Sequence, residues 1–439
     1  MKARYTSLDR HLSAECAFDR PDRYRHLADA TKSDRIVARG AGVSYVAASF
    51  SGNARSIEMK AFDRILAFDP AQRWIEVEGG ASLGKLFEFL TPRGYHVPVQ
   101  PGHPQVTVGG CIAANVHGKN QFTEGVFGSL VREVALYHPD RGFVRASPAD
   151  NAEIFDLTIG GYGLTGIIVS ARIAVAELPG ALVRERHVRV GSLLEAFRSV
   201  DSLKSEHDMI YCWNDLSRPG RSAGSGYIVA GSYVPGEARR DAVARYRRLD
   251  PSARKRFRPN LFSDRAMPWV NRAYSFLNAR SSKPIDVPLF RFLFPAVGKE
   301  FYFDYFGRAG LIEMQLLLPA DAIEAYVGDF LALQARHRRP IALTTIKAVR
   351  GEQRLLHFNG NGFNFTIEVR NAPENVAFLN DLDELNCRYG GITNIIKDSR
   401  LRAEIAERQY PEIGAFRERL RRYDPERRFS SALSERLAL

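Results

Sequence analysis

Between residues 101 and 120 the chain places Pro101, Gly102, Gly109, Gly110 and Gly118 around a single His117-Gly118-Lys119 triplet. A stretch this poor in side chains lets main-chain N–H groups approach a ligand, and its glycines can take positive φ. Small Ala113 and Ala114 keep the strip thin, as backbone wrapped around a large flat cofactor requires. The His117 imidazole titrates near neutrality and can hydrogen-bond a sugar hydroxyl or a ring oxygen. Lys119 offers an ammonium for a substrate phosphate. Glu313 and Gln315 alternate with Ile312 and Met314, so the polar pair shares one face of a strand. Such alternation ordinarily marks a solvent face, and the Lys397-Asp398-Ser399-Arg400 cluster ordinarily marks a solvated helix start.

These residues need elements to position them. From Asp34 to about Val175, short β-branched runs end in glycine turns: Arg35-Ile36-Val37-Ala38 before Arg39-Gly40-Ala41-Gly42, and Trp74-Ile75-Glu76-Val77-Glu78 before Gly79-Gly80. Leu83, Leu86, Phe87 and Leu90 recur at helical spacing behind a Ser82 N-cap. Gly160-Gly161-Tyr162-Gly163-Leu164-Thr165-Gly166 feeds a further strand. The region reads as an α+β unit whose separate glycine loops meet a ligand. Beyond Pro179-Gly180 the glycine loops stop. Strands are expected at 186–190, 227–230 and 312–319 and an amphipathic helix over 320–331, which together suggest a second α+β domain on an antiparallel sheet. Residues about 236 to 300, rich in Arg, Pro and aromatics, suit loops over a site.

The length of 439 residues allows two or three domains. With 62 Lys plus Arg against 50 Asp plus Glu, the net charge is +12, which favours anionic partners. The arginines are scattered and no nucleic-acid-binding motif is present, so phosphorylated metabolites or an anionic membrane face suit it better than nucleic acid. Cys16, Cys111, Cys212 and Cys387 form no CxxC pair; neither a metal site nor a disulfide framework is expected, and a cytoplasmic setting fits. No export signal or run of about 18 apolar residues is present. The aromatic stretch Pro288–Pro295 suits either peripheral contact with the inner face of a membrane or a buried strand.

Gln105-Val106-Thr107-Val108-Gly109-Gly110, His117-Gly118-Lys119-Asn120, Phe127-Gly128, Gly163-Leu164-Thr165-Gly166-Ile167-Ile168 and Lys397-Asp398-Ser399-Arg400 occur in that order over almost the whole chain. In this the chain resembles flavoproteins of the vanillyl-alcohol-oxidase type, and more narrowly the branch of decaprenylphosphoryl-β-D-ribose 2′-oxidases, the flavin half of a ribose-to-arabinose epimerase. The resemblance implies an α+β, two-domain PCMH-type FAD-binding fold: residues 1–180 and 393–439 bind FAD, and residues 181–392 form a substrate cap.

By the same resemblance, Arg39, Gly40, Ala41, Gly42, Val43, Ser44 and Tyr45 form the pyrophosphate loop. Pro101, Gly102, Thr107, Val108, Gly109, Gly110, Ala113, Asn115, His117 and Gly118 run beside the ring, with Gly125 and Ile167 completing the cofactor contacts. Val43 stands where members with covalent flavin commonly carry His, so the FAD is expected to be dissociable. Lys397, His117 and Tyr45 are the expected catalytic groups, Lys397 as the fixed cation near the ring positions that gain negative charge. Lys119, Glu313, Gln315, Lys347, Asn364, Thr366 and Lys397 are expected around the substrate. The chain departs from the family where Glu313 replaces a neutral amide, Thr366 a cysteine and Asn394 a tyrosine.

The implied activity is oxidation of a secondary hydroxyl of a polyprenyl-phosphate-linked or similar pentose to a keto sugar. An NAD(P)H-dependent short-chain reductase would then complete a 2′-epimerisation. A soluble alditol or aldonolactone oxidase or dehydrogenase is the alternative, and a catalytically silent flavin-fold scaffold a third reading.

Overall fold

The computed structural model describes residues 1–220, 222–236, 263, 265–278 and 283–439. Much of the basic, aromatic segment expected to form loops over the site lies outside the described residues. What is described is an α+β architecture with four sheets.

The glycine-loop half holds two of the larger sheets. Lys2–Thr6, Ser13–Asp19, Arg55–Glu58 and Ile36–Arg39 form one, with the last two strands parallel. Ile65–Asp69, Trp74–Glu78, Ile167–Ala174, Val131–His138 and Gly142–Ala146 form an antiparallel five-stranded sheet. The helix Leu83–Leu90 begins where its N-cap was expected, Ser82 Oγ accepting from the Lys85 amide.

The end of the chain returns to this half. The Ile36 amide donates to the Arg428 carbonyl and the Ser430 amide donates to the Ile36 carbonyl, so Phe429 lies along the strand Ile36–Arg39. One apolar core accordingly joins Ile36, Ile57 and Val169 to Ile395, Tyr410, Phe416, Leu433 and Leu439.

Between these parts lies an antiparallel sheet of eight strands, in the order Ile285–Pro288, Leu182–Val190, Ser225–Val234, Met209–Asp215, Leu343–Val349, Gly362–Arg370, Leu311–Pro319 and Ile392–Thr393. Three of its strands, Leu311–Pro319, Leu343–Val349 and Gly362–Arg370, alternate over most of their length. Ile312, Met314, Leu316, Ile346, Ala348, Phe363, Phe365, Ile367 and Val369 point to one side and pack against Phe197, Phe330 and Phe378 from the helices Leu193–Leu203, Ile323–His337 and Pro373–Arg388. Strand geometry then sends Glu313, Gln315, Thr345, Lys347, Asn364, Thr366 and Glu368 to the opposite face.

Two expectations are corrected here. The stretch Pro288–Pro295 is neither a buried strand nor an exposed membrane contact: Leu289–Leu293 is a short helix, and Leu289, Phe290, Phe292, Leu293 and Phe294 are buried beneath the sheet with Phe87, Met209 and Trp213. A continuous apolar run of that length fits either element. Lys397-Asp398-Ser399-Arg400 is not a solvated helix start, because Asp398 and Ser399 are buried.

Phe365 carries the packing of this sheet, its ring 5.6 Å from Phe197 and 5.2 Å from Phe330. Phe365→Ala is expected to cost about 3–5 kcal/mol of unfolding free energy, read from urea denaturation.

Candidate functional site

A cavity of about 440 Å³ opens between the glycine loops and the polar face of the eight-stranded sheet, within the range of roughly 300–1,000 Å³ usual for ligand sites. Gly40, Ala41, Gly42, Val43, Ser44 and Tyr45 line one wall; Pro101, Gly102, Thr107, Gly109, Gly110 and Ala113 line another; Lys119, Lys347 and Lys397 also reach it. The His117 and Lys397 regions, 280 positions apart in the chain, thus meet at one cleft. A second cavity, about 480 Å³, is lined by Arg189, Asp215, Arg218 and Arg272 and shares no residue with the first.

The walls can be made only of glycine where the loops touch. A Cβ at Gly40 would stand 2.4 Å from Thr107 Oγ1, and one at Gly79 would stand 2.0 Å from the Ile168 carbonyl oxygen. Thr107 is fixed because its hydroxyl accepts from the Gly110 amide as N-cap of the helix Val108–Ala113. Gly42 has φ +72°. Among the described residues the amides of Ala41, Gly42, Val43, Ser44 and Tyr45 donate to no protein group. A side-chain-free turn with open N–H groups suits a pyrophosphate, and the wide apolar strip beside it suits a flat ring, so these residues fit FAD.

Other residues expected to touch the cofactor or the substrate stand outside the cavity lining, His117, Glu313, Gln315, Asn364 and Thr366 among them. Arg39 braces the first loop from behind, its Nη1 donating to Ser49 Oγ at 2.8 Å and its guanidinium 4.0 Å from the Tyr5 ring centroid. Val108 and Ile167 are core side chains. Asn115 holds a left-handed turn (φ 43°) and accepts from the Gly128 amide at 2.8 Å. Gly118 packs against Asn120 and Gln100, and Gly125 ends the helical turn Gln121–Glu124.

The sheet contributes a connected polar set. Nε2 of His117 lies 3.1 Å from both Gln315 Oε1 and Asn364 Nδ2. Gln315 is held from two further sides: its Nε2 donates to Thr366 Oγ1 at 3.1 Å, and its Oε1 accepts from Asn394 Nδ2 at 2.6 Å. The Thr366 and Asn394 departures therefore act together on one amide. Burial, then the Lys347 charge, pushes the His117 pKa down to about 3, so the ring is a neutral hydrogen-bonding group at physiological pH.

Lys397 arrives from the edge strand Ile392–Thr393. The Asn394 amide bonds the Gln315 carbonyl at 2.8 Å, and Arg400 clamps the following turn between Asp383 (2.7 Å) and Asp398 (3.1 Å). Its Nζ sits 2.9 Å from Glu313 Oε1 and 3.7 Å from the Tyr45 ring centroid. Lys119 donates to the Leu293 carbonyl. Burial pushes Lys119 down to about 7, and burial with the Lys397 charge pushes Lys347 down to about 8.

Two residues at this site were missed in the sequence. Glu368 faces Glu313 directly across the strand pair, and Tyr302 Oη donates to Glu368 Oε2 at 2.7 Å. The period-two series Asn364, Thr366, Glu368 was the available signal for the first; nothing in the sequence singles out Tyr302.

Similarity to other proteins agrees with this geometry. Residues 25–147 match the FAD binding domain family. The chain is 30% identical over 419 residues to decaprenylphosphoryl-β-D-ribose oxidase of Mycolicibacterium smegmatis, covering 92% of this chain and 89% of that protein. The chain belongs to the FAD-dependent oxidase family of that enzyme. FAD is its cofactor and oxidoreduction its chemistry. An uncharacterized Streptomyces coelicolor protein from the mprA 5′ region is 27% identical over 379 residues, 82% of this chain and all of that one. Human Delta(24)-sterol reductase is 29% identical over 111 residues, only 25% of this chain and 22% of the reductase.

Because Gly40 meets Thr107, Gly40→Ala is expected to weaken FAD binding by on the order of tenfold. Fluorescence titration of the FAD-free protein measures it, with circular dichroism confirming the fold.

Proposed function

We propose that this oxidase removes the hydrogens of a secondary hydroxyl on a polyprenyl-phosphate-linked pentose, giving a keto sugar as the first half of a 2′-epimerisation. The observation that carries this reading is the convergence of Lys119, Lys347 and Lys397 on one cavity beside His117, Gln315 and Asn364. The cations suit a phosphate, and the neutral amide and imidazole groups suit sugar hydroxyls. The family relative's name supplies the ribose and the lipid.

In this reading residues 1–180 and 393–439 make a PCMH-type FAD unit, and 181–392 make the cap. The first glycine loop would hold the pyrophosphate with its open amides, and the residues from Thr107 to Ala113 would hold the ring. Bound FAD supplies the hydride acceptor. Lys397 holds a positive charge where negative charge develops, and it is kept in place by Glu313 and the Tyr45 ring. His117, fixed against Gln315 and Asn364, orients the sugar without adding charge. Lys119 and Lys347 bind the phosphate. The largely apolar wall lowers the local polarisability and strengthens these interactions.

The cofactor is dissociable. Val43 occupies the position for covalent attachment, and His103, which lines the cavity, has Nδ1 accepting from the Gln105 amide and Nε2 facing Glu300 at 3.6 Å. A separate NAD(P)H-dependent short-chain reductase returns hydride to the opposite face of the ketone. The enzyme works in the cytoplasm at the inner face of the membrane, where the lipid phosphate lies. No helix among the described residues is long and apolar enough to cross a bilayer, and the membrane contact in this reading is peripheral.

Four outcomes check this reading. Polyprenylphosphoryl ribose should bleach the flavin anaerobically where free polyols and lactones do not, and acid precipitation should leave the yellow colour in the supernatant. Lys397→Ala should retain FAD but slow substrate-dependent bleaching by on the order of 10²–10³-fold, measured by stopped flow. Since ammonium forms are lost as pH rises through about 7 for Lys119 and about 8 for Lys347, affinity for the phosphorylated substrate should fall by on the order of tenfold or more between pH 6 and 9. A dephosphorylated analogue should lack that dependence.

A further inference from the structure

Glu313 and Glu368 are directly opposed residues of neighbouring antiparallel strands, 3% and 4% exposed, and neither has a role in the reading above beyond the hold of Glu313 on Lys397. We propose that Glu313 accepts the proton of the substrate hydroxyl by way of Lys397, and that Glu368 with Tyr302 keeps Glu313 charged and ready for that transfer. This rests on the reading of the site as an oxidase of secondary hydroxyls.

Two carboxyl groups this close cannot both ionise in a buried site. Their surroundings decide which one keeps the proton. Glu313 has an ammonium at 2.9 Å, whereas Glu368 has the Tyr302 hydroxyl at 2.7 Å. The charge therefore settles on Glu313. Burial first, and then the Glu313 charge, pushes the Glu368 pKa well above the carboxylate range, so Glu368 is the neutral partner that donates to Glu313.

The remaining groups around the pair are consistent with a single net negative charge. Tyr45 and Tyr302 are both held protonated, by burial and then by the carboxylates. Asp9, held by Ser7 and the His11 amide, is pushed up to about 7 by burial, with the Glu313 charge adding to it. Lys347 is pushed down to about 8 by burial and by Lys397.

Oxidation of a secondary carbinol removes a hydride from carbon and a proton from oxygen. Lys397 cannot accept that proton while it is an ammonium, yet its charge is needed at the cavity wall when the hydride leaves. The pair with Glu313 removes the conflict. As Lys397 gives one proton to the Glu313 carboxylate it takes the proton of the hydroxyl. The O–H bond breaks, C=O forms as the hydride goes to the bound FAD, Glu313 becomes a neutral acid, and Lys397 ends the step still charged. In the reverse sense, deprotonation of Glu313 resets the site.

The test compares the holoenzyme with Glu313→Gln and Glu368→Leu in anaerobic single turnovers with polyprenylphosphoryl ribose across pH. It is paired with infrared titration of the protonated-carboxyl band in the FAD-free proteins. The parent should bleach more slowly toward acid pH. Glu313→Gln should retain FAD, bleach on the order of 100-fold more slowly and lose the acid limb. Glu368→Leu removes the neutral donor to Glu313, so it should retain FAD and bleach more slowly than the parent, by less than Glu313→Gln does. The protonated-carboxyl band at pH 7, to which Asp9 also contributes, should be larger in the parent than in Glu368→Leu by one carboxyl group. Parental rate and profile in Glu313→Gln would overturn the relay while leaving the oxidase reading intact. No bleaching of the parent by any hydroxyl substrate would overturn the oxidase reading and the relay with it. Carboxyl bands of equal size in the parent and Glu368→Leu would overturn the assignment of the proton to Glu368.

Discussion

The register of three strands, Leu311–Pro319, Leu343–Val349 and Gly362–Arg370, is the constraint on which the site depends. A slip of one residue would exchange the two faces of a strand, sending its phenylalanines or isoleucines into the cavity and its charges into the helical layer. Each apolar side chain buried on the helical side is worth about 1.5–3 kcal/mol. Together they outweigh the several kcal/mol that a buried ion costs. The apolar face thus holds Glu313, Lys347 and Glu368 in a place none of them would choose alone.

What those strands present is completed from elsewhere in the chain. The glycine loops supply main-chain donors and little else, so the charge of the cavity comes from side chains on other segments. Lys119 follows the His117 loop, Lys347 sits on the sheet and Lys397 sits on the turn clamped by Arg400. His117 stays neutral among them. The result is a cationic cleft with largely apolar walls and one carboxylate in contact with one of its cations, and the low polarisability of those walls makes each charge count for more than it would in water.

The parts of this arrangement visible in the sequence were those whose chemistry is local. Glycine turns at 40–42 and 79–80, the Ser82 cap and the alternation of Glu313 with Gln315 all follow from backbone rules and are found in the structure, whereas Gly109 and Gly110, read as part of a loop, lie in the first turn of the helix Val108–Ala113 capped by Thr107. Pairing across strands is not local. Nothing near Glu368 says that it opposes Glu313, and nothing near Tyr302 says that a 3-10 turn will aim its hydroxyl at Glu368. Arg39, Val108 and Ile167 show the converse: they sit within ligand-facing motifs, yet their side chains brace the loops from behind or fill the core. The aromatic run at 289–294 was ambiguous because short buried helices and strands share the same composition.

The return of residues 428–430 to the strand Ile36–Arg39 sets an order of events during synthesis. The ribosome releases the glycine loops early, but Tyr410, Phe416 and Phe429, which fill the core beneath them, emerge only after the eight-stranded sheet has left the tunnel. Until then the first loop lacks its floor. The sheet and its helical layer are free to fold while the nascent chain is still growing, whereas the nucleotide cradle closes only after residues 428–430 have emerged.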